Sequence, residues 1–557
     1  MERNQERISP ANPTRRVRIQ LPEKELRTEL TEDFTLPDYQ PEIRRLLRIT
    51  CTVRPPAGSV GAGNAEFSGN VDYTVLYMGN DGSLASAPLS TEYRFQVPIE
   101  AGSDFDLSDA PTVFCLCRAE NVNGRVTAPR KLTLRCRLAS LVRSEATCMI
   151  GERYQGELPP EGEQCRLTGE FGSETVLYGM DEGVTLSDEI IPDSPTDTLR
   201  VLSADGRVFL TGAEAGSGTV RCRGDLILTL TTQKEAPEPE KSVGSLLDDA
   251  VAVNSAGDPQ PPEAPAVPEL HTITRKLPID AEIPVDGADV SCAAAAWGTC
   301  TDLSVSVEDG RILVDAGLTL EALCQKRETN EYTKDLYADG RSCTVTYTER
   351  KIPVALGAGI GNLSVGGTAA LGDLGIRPGA RVLDVTGTAQ VTGITEEKGK
   401  PVLTGVCRFH LLTADAGGEI SPAEAEFPFR YTVEGTRSAA GNAGGVDDVS
   451  GDAVAELVSC RARIDGERLA ADGEVTVAFR LSAPGTVRMP ESVRFGERNV
   501  APAGGIRICY PAPGETLWDV AKRFAVPVSV LTGKNDLPAA PRADDPASLG
   551  DARYLLI

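Results

Sequence analysis

The chain has 557 residues and a formal net charge of −25 at pH 7, and only 5% of its residues are aromatic. This length predicts several domains, each large enough to bury a core of its own. The acidic charge argues against DNA, RNA and anionic lipid as ligands, because all three are bound by basic surfaces. A basic surface on another protein would complement it.

The sequence gives no sign of export or of catalysis. The first ten residues contain no apolar segment and no apolar run is long enough to cross a bilayer, so we expect a cytoplasmic protein without a secretory signal. The two histidines, His271 and His410, lie in strand-like segments, and no nucleophile elbow or phosphate-binding loop is present. We therefore expect no enzymatic activity and no cofactor.

The 14 cysteines are expected to be reduced and mostly buried rather than paired in disulfides, as is usual for a cytoplasmic protein. Cys136 and Cys222, for example, lie at alternating positions of strand-like segments and are predicted core residues. Cys115-Leu-Cys117 places two thiols on one face of a strand, where packing explains them better than a metal does. We expect no bound metal.

In chain order, the first predicted element is a short helix that begins at Pro41 and buries Ile43, Leu46 and Leu47, which recur at helical spacing. Strand-like runs follow at 49–53, 71–77 and 93–99. Asn80-Asp-Gly82 predicts a turn between the last two runs.

The same pattern of strands occurs three times. Each copy is predicted to contain a strand pair that ends at an apolar-Pro-apolar triplet, then a hairpin turn and a return strand. The triplets are Val97-Pro-Ile99, Leu277-Pro-Ile279 and Phe427-Pro-Phe429, and the turns are Asn123-Gly124, Asp309-Gly310 and Asp465-Gly466. A period of about 150 residues indicates tandem domains rather than a solenoid.

We assign residues 20–148, 149–352 and 353–500 to these three units. The second unit is longer because it contains an acidic, Pro- and Ala-rich insertion at 235–268. Such a composition cannot form a core, so the insertion is expected to be a disordered loop between two strands of a hairpin.

Residues 505–557 have a different pattern. The stretch from Ile506 to Tyr510 alternates like a strand, and Thr516 with Asp519 matches a capping box at the start of a helix with an apolar stripe. A second short helix starts near Pro527, and 554–557 is predicted to be a closing strand. The expected fold class is therefore mainly β: three tandem, strand-rich, sandwich-like domains followed by a small α+β domain of βααβ order.

Two family resemblances follow from these residues. The C-terminal pattern resembles the LysM domain in the order and spacing of Gly514-Glu-Thr-Leu-Trp-Asp-Val-Ala521, Phe524, Val526, Asn535 and Leu537. Three β units in front of such a domain resemble SPOCS-domain proteins, through Leu36-Pro-Asp38, Pro41-Glu-Ile43 and the three Pro-containing triplets.

The SPOCS resemblance implies a non-enzymatic scaffold of endospore coat assembly in the mother-cell cytoplasm, at the forespore surface. Its implied partner is a SpoIVA-like ATPase, a spore-coat morphogenetic protein, bound through the LysM domain. The LysM resemblance alone implies the alternative, a protein that binds peptidoglycan or N-acetylglucosamine polymers.

The implied binding site is a groove between two lips of the LysM-like domain. The first lip consists of Gly514, Glu515, Thr516, Leu517 and Trp518, and the second of Asn535, Leu537 and Pro538. Helix capping and core packing also account for Glu515, Thr516 and Leu517 without any ligand. Trp518 lies one position off the apolar stripe, so it is either partly exposed to a partner or packed against the small sheet.

Overall fold

The computed structural model describes residues 15–99, 106–107, 111–150, 153–155, 159–192, 199–234, 270–434, 449–498, 506–537 and 542–557, apart from the single positions 22, 62, 536 and 551. The described chain is mainly β, with several small, largely antiparallel sheets and two short α-helices near the C-terminus. None of its helices is long and apolar enough to span a membrane.

The long strands fall into three consecutive stretches of the chain, which are followed by short C-terminal elements. The strands of the first stretch are β1 (Arg15–Gln20), β2 (Lys24–Thr35), β3 (Ile43–Val53), β4 (Ala57–Gly61), β5 (Asn64–Gly79), β6 (Leu84–Pro98), β7 (Asp106–Leu107), β8 (Thr112–Ala128), β9 (Lys131–Ile150) and β10 (Arg153–Gln155). Those of the second are β11 (Gln164–Ile190), β12 (Leu199–Ala215), β13 (Thr219–Lys234), β14 (Leu270–Pro284), β15 (Ala293–Glu308) and β16 (Arg311–Ala338). Those of the third are β17 (Arg341–Ala370), β18 (Arg381–Glu397), β19 (Lys400–Ala414), β20 (Ile420–Thr432), β21 (Ser450–Asp465) and β22 (Arg468–Arg498). The C-terminal elements are β23 (Ile508–Cys509), α1 (Leu517–Phe524), α2 (Val528–Lys534) and β24 (Leu555–Leu556).

One connectivity occurs three times among these strands. A strand near the start of each stretch (β2, β11 or β17) pairs with a long strand near its end (β9, β16 or β22), which also pairs with the strand before it. The strands between them form a separate sheet of order β3-β5-β6, β12-β13-β14 or β18-β19-β20. Residues 341–352, which the sequence assigns to the second unit, belong to β17 and therefore pair within the third.

In each stretch the two sheets pack face to face around an apolar core. Alternating residues of the last strand supply one side of each core, for example Leu134 and Cys136 of β9. The facing sheet supplies the other side, for example Val75 of β5. Cys136 and Cys222 are both fully buried in such cores, which confirms the prediction for these two cysteines. The 13 cysteines whose side chains the structure describes are free thiols.

The predicted helix at Pro41 is wrong, because residues 43–53 form the strand β3. Two β-bulges, at Ile43/Arg45 and Leu46/Arg48, each add one residue to this strand. A bulge shifts the alternation of buried side chains by one position. The resulting spacing of the apolar residues resembles that of a helix.

Two of the three predicted hairpin turns lie at or next to the expected place. Asp309-Gly310 is a turn with positive φ at both residues (49° and 74°), and the third turn is Gly466-Glu467, one residue later than predicted. The turn at Asn123-Gly124 is wrong, since both residues pair with β9 and the chain reverses at Pro129-Arg130. A Cβ at Gly124 would lie 2.6 Å from Cδ1 of Ile49, so a larger residue there would require this side chain to shift.

The Pro-containing triplets end a strand only once. β6 ends at Pro98, but Pro278 and Pro428 lie inside β14 and β20, so the predicted strand ends at these two places are wrong. Both strands are edges of their three-stranded sheets. An edge strand tolerates proline because the missing N–H would point away from the neighbouring strand.

The insertion 235–268 lies outside the described residues, and so does the disorder expected of it. The strands on either side of it, β13 and β14, are antiparallel neighbours, with Gln233 opposite Leu270. The insertion therefore connects two strands of one hairpin, as the sequence predicts.

Buried ion pairs join the three stretches. Arg480 of β22 lies between Asp452 of β21 and Glu174 of β11, with N–O distances of 2.8 and 2.9 Å, and its side chain is 1% exposed. Arg48 of β3 pairs in the same way with Asp384 of β18, at 2.7 Å. Because the Arg480–Glu174 and Arg48–Asp384 pairs connect strands of different stretches, these two pairs help to fix the relative position of the sheets.

Candidate functional site

The C-terminal residues form a small unit on the β-sandwich body. β23 and β24 pair antiparallel, and one face of this two-stranded sheet, with Cys509 and Leu555, packs on α1 and α2. The same core includes Tyr337 of β16. We call residues 506–557 the C-terminal module.

The residues of the first predicted lip stabilise the fold of the module. Gly514 has a φ of 82°, which favours glycine. The Glu515 carboxylate accepts a hydrogen bond from the Ala512 N–H at 2.8 Å, and Leu517 is 4% exposed. The capping box of Thr516 and Asp519 is confirmed: the Asp519 N–H donates to the Thr516 hydroxyl at 3.2 Å, and the Thr516 N–H donates to the Asp519 carboxylate at 2.9 Å.

The start of α1 is covered by the chain itself. The N–H of Leu517 donates to Oγ of Ser548 at 2.9 Å, and the N–H of Trp518 donates to the carbonyl of Ala543 at 3.0 Å. The first N–H groups of a helix have no partner inside the helix and are therefore the donors that a ligand could use. In this module the segment 542–550 occupies them.

The second lip is also structural where it is described. The Asn535 side-chain amide donates to the carbonyls of Leu531 and Leu556, at 2.8 and 2.9 Å, and its oxygen accepts from the Leu556 N–H at 2.7 Å. Asn535 thus ties the end of α2 to β24. Leu537 packs against the module core, and Pro538 lies outside the described residues.

Trp518 is 5% exposed, so of the two alternatives that the sequence left open for it, the partly exposed indole is excluded. Its ring packs edge-on against Tyr337 of β16, with the ring centroids 4.9 Å apart, and its Nε1–H donates to Asp335 at 2.8 Å. The indole therefore contacts a different part of the chain, in addition to the core of its own module. Trp518 is central to a contact between the module and the β-sandwich body.

Asp335 is the polar centre of this contact. Its carboxylate accepts hydrogen bonds from Trp518, from Nζ of Lys522 at 2.6 Å and from the Tyr347 hydroxyl at 2.6 Å. Two backbone contacts complete the junction: the Tyr337 hydroxyl donates to the Val526 carbonyl, and the Gly340 N–H donates to the Ala525 carbonyl, both at 2.7 Å. We call this set of residues the docking contact: Asp335, Tyr337, Gly340, Tyr347, Trp518, Lys522, Ala525 and Val526.

Sequence reasoning missed Asp335 and Tyr347 because no local signal marks them. Both lie in long strands in which exposed and buried positions alternate. The contact depends on a helix about 180 residues further along the chain, and only the fold brings the two together.

The docking contact sets the charge state of its carboxylate. Burial would raise the pKa of Asp335, but the hydrogen bonds from Lys522, Tyr347 and Trp518 and the Lys522 charge outweigh burial, so the pKa is lowered from its ordinary value of 3.8. Burial likewise opposes the charge of Lys522, yet the hydrogen bonds to Asp335 and Tyr347 raise the pKa of this ammonium above 10.5. Both groups are charged at neutral pH.

These shifts predict an acid-sensitive contact. Because the folded pKa of Asp335 is below its unfolded value, its ionisation stabilises the docked module above about pH 3.8, and this contribution is lost as the pH falls through the lowered pKa. Asp335→Asn should therefore speed amide hydrogen exchange in α1 near neutral pH, and the difference from the unmodified chain should shrink in acid. Asp309→Asn, in a distant hairpin turn, is the control. Equal exchange in Asp335→Asn and the unmodified chain near neutral pH would contradict the prediction.

A second feature that the sequence did not predict is a cavity of about 1120 Å³ at the junction of the three stretches. Its lining mixes apolar side chains with charged ones that already have partners, such as Arg207 with Asp205 and Glu456, and His410 with Glu424. Among the described residues no three His, Cys, Asp or Glu side chains form a group that could hold a metal ion.

No relative of the chain was found among known proteins. The chain matches no protein-family model, no curated protein and no solved structure. The inference of function therefore rests on the residues and their geometry.

Proposed function

We propose that the chain is a non-enzymatic assembly scaffold, in which a β-sandwich body carries a LysM-like module that holds another protein. The observation that supports this most directly is the docking contact. Helix α1 already binds a protein surface, that of β16 and β17, through a buried indole and an ammonium group. A buried aromatic ring with a charged hydrogen bond beside it is typical of protein–protein interfaces.

The geometry of the groove favours a protein over a glycan as the ligand. A sugar polymer bound at the first lip would need hydrogen-bonding groups there, but the Leu517 and Trp518 N–H groups are bonded to Ser548 and Ala543. At the second lip, the Asn535 side-chain nitrogen and oxygen are both hydrogen-bonded within the module. A glycan would have to displace these bonds before it could bind.

The partner that the SPOCS and LysM resemblances favour is a SpoIVA-like, spore-coat morphogenetic ATPase. Binding would take place in the mother-cell cytoplasm at the forespore surface, where coat proteins assemble. The net charge of −25 supports a protein partner as well, because it disfavours nucleic acid and anionic membrane surfaces.

Removing the module should abolish capture of this ATPase. We expect the full chain to retain the purified ATPase in a pull-down and a chain that ends at residue 504 to lose it, while the β-sandwich body stays folded because its three cores are separate from the module. Circular dichroism of the truncated chain is the folding control.

The glycan alternative is tested on the same proteins by sedimentation with purified peptidoglycan. Strong sedimentation of the full chain, lost on truncation, together with no capture of the ATPase would replace the scaffold by a glycan-binding protein. Capture that survives truncation would show that the module is not the binding element.

A further inference from the structure

Glu321 of β16 is a buried acidic residue that points out of the second β-sandwich. Its neighbours Leu320 and Ala322 belong to the core of that sandwich, so strand alternation places Glu321 on the opposite face of the sheet. Trp297 of β15 lies directly across from it in the strand register. Although this face points away from the core, Glu321 is only 5% exposed. Another part of the chain must therefore cover it.

The first stretch provides this cover. Phe114 of β8 stacks on Tyr178 of β11, with the ring centroids 5.4 Å apart, and belongs to one apolar cluster with Leu323 and Trp297 of the second stretch. We call this cluster and Glu321 the first–second contact. It joins β8 to the outward face of the sheet that contains β11, β15 and β16.

Both oxygens of the Glu321 carboxylate accept hydrogen bonds within this contact. The Tyr178 hydroxyl donates to one oxygen at 2.5 Å, and Nε1–H of Trp297 donates to the other at 2.7 Å. Neither donor carries a positive charge. Among the residues that the structure describes, no lysine, arginine or histidine forms an ion pair with Glu321.

Other buried carboxylates that join two stretches do have a cation. These pairs are Glu174 with Arg480, Asp384 with Arg48, and Asp452 with Arg143. A buried carboxylate without such a partner is costly as an ion, because uncharged donors replace its hydration only in part. The neutral, protonated form of Glu321 is therefore the one that this contact favours.

The surroundings of Glu321 agree with this conclusion. Burial raises the pKa of Glu321 above its ordinary value of 4.5, since it outweighs the two hydrogen bonds, which lower the pKa. The other titratable groups that face it are Tyr178, Tyr93 of β6, and Cys115 and Cys117 of β8. Phenols and thiols cannot supply a positive charge in any protonation state.

We propose that Glu321 is a proton-dependent switch in the first–second contact, which is tight when the carboxyl group is protonated and loosens when it loses its proton. Loss of the proton leaves a charge that this contact cannot neutralise, whereas water can. Glu321, Trp297 and Cys115 line the cavity of about 1120 Å³ at the junction of the stretches. A small separation of Phe114 from Tyr178 would let water reach the carboxylate from this cavity. The switch does not depend on the proposed function.

The sign of the pH dependence follows from the direction of the pKa shift. Because the pKa of Glu321 is higher in the closed contact than in water, the closed contact binds the proton more tightly than the opened one. The contact is therefore most stable near and below pH 4.5, and it loses stability as the pH rises from 4.5 through the raised pKa. Asp335 has the opposite sign, and its pKa lies below 3.8, so it stays mostly charged over this range.

Glu321→Gln in the full chain tests the switch, because glutamine resembles the protonated carboxyl group. Its carbonyl can accept from Trp297 and its amide can donate to the Tyr178 oxygen. At about pH 7.5 we expect amide hydrogen exchange in β8 and β16 to be slower than in the unmodified chain, by about tenfold for each unit by which the pKa is raised. The difference should shrink towards pH 4.5. Glu182→Gln, at an exposed position of β11, is the matched control and should change exchange at neither pH.

Tyr178→Phe is a second variant, which decides the question if Glu321→Gln does not fold. Phenylalanine keeps the ring that stacks on Phe114 but removes one hydrogen bond to the carboxylate. Hydrogen bonds to a charged acceptor are stronger than those to a neutral one. We therefore expect faster exchange in β8 and β16 at about pH 7.5 and a smaller increase at pH 4.5.

Two results would overturn the proposal. Faster exchange in Glu321→Gln than in the unmodified chain at about pH 7.5 would show that Tyr178 and Trp297 hold the carboxylate as an ion. A change of the same size at both pH values, in either variant, would show that the side chains act through packing and not through the proton.

Discussion

Replacing Arg480 by alanine is expected to lower the free energy of unfolding by about 3–5 kcal/mol. The guanidinium is 1% exposed and neutralises two carboxylates, Asp452 and Glu174, that are themselves 5% and 2% exposed. Without it, both carboxylates would remain buried with less compensating charge, and the strands β11 and β22 would lose their polar connection. Urea denaturation followed by circular dichroism measures the effect.

The matched control is Arg221→Ala. Arg221 also binds a carboxylate through two nitrogens, that of Asp280, but this pair is on the surface. Water and salt screen such a pair, so we expect an unchanged denaturation midpoint. A midpoint for Arg480→Ala that matches this control would show that the buried pair contributes little to stability.

Trp518→Ala is expected to destabilise the C-terminal module by about 3–5 kcal/mol, as truncation of large buried aromatic residues does. The substitution removes the ring contact with Tyr337 and the hydrogen bond to Asp335. Local unfolding of the module would follow, whereas the three β-sandwich cores would stay folded. Hydrogen exchange resolved by peptide measures this, with faster exchange expected in α1, α2 and the Asp335 segment of β16.

Trp518→Phe separates the two contributions. Phenylalanine keeps most of the ring packing on Tyr337 but has no N–H for Asp335, so its exchange rates should lie between those of the unmodified chain and Trp518→Ala. If alanine at 518 left exchange in β16 unchanged, the docking contact would not hold the module on the body.

The two Trp518 substitutions also affect how binding data are interpreted. Because the indole is buried, loss of a partner in Trp518→Ala can follow from loss of the docked module as well as from loss of a direct contact.

The sequence determined the features that depend on local chemistry. The capping box of Thr516 and Asp519 was predictable because both partners lie within one turn of the helix. The turn at Asp309-Gly310 was predictable because few residue pairs accept positive φ twice. The mainly β class followed from alternation, since the period of two is a property of the strand itself.

Only the tertiary structure decided the features in which a residue contacts another residue far along the chain. Asn123-Gly124 has the sequence of a turn, yet it lies in a strand because both residues pair with β9. The apolar spacing from Ile43 to Leu47 is helical, yet two bulges in a strand produce it, because pairing with β5 outweighs a single turn of helix. The sequence did not decide which way the Trp518 side chain points, because the apolar stripe of α1 explains only the packing inside the module. Its final place was set by Asp335 and Tyr337, residues of a strand that approaches the helix only when the chain is folded.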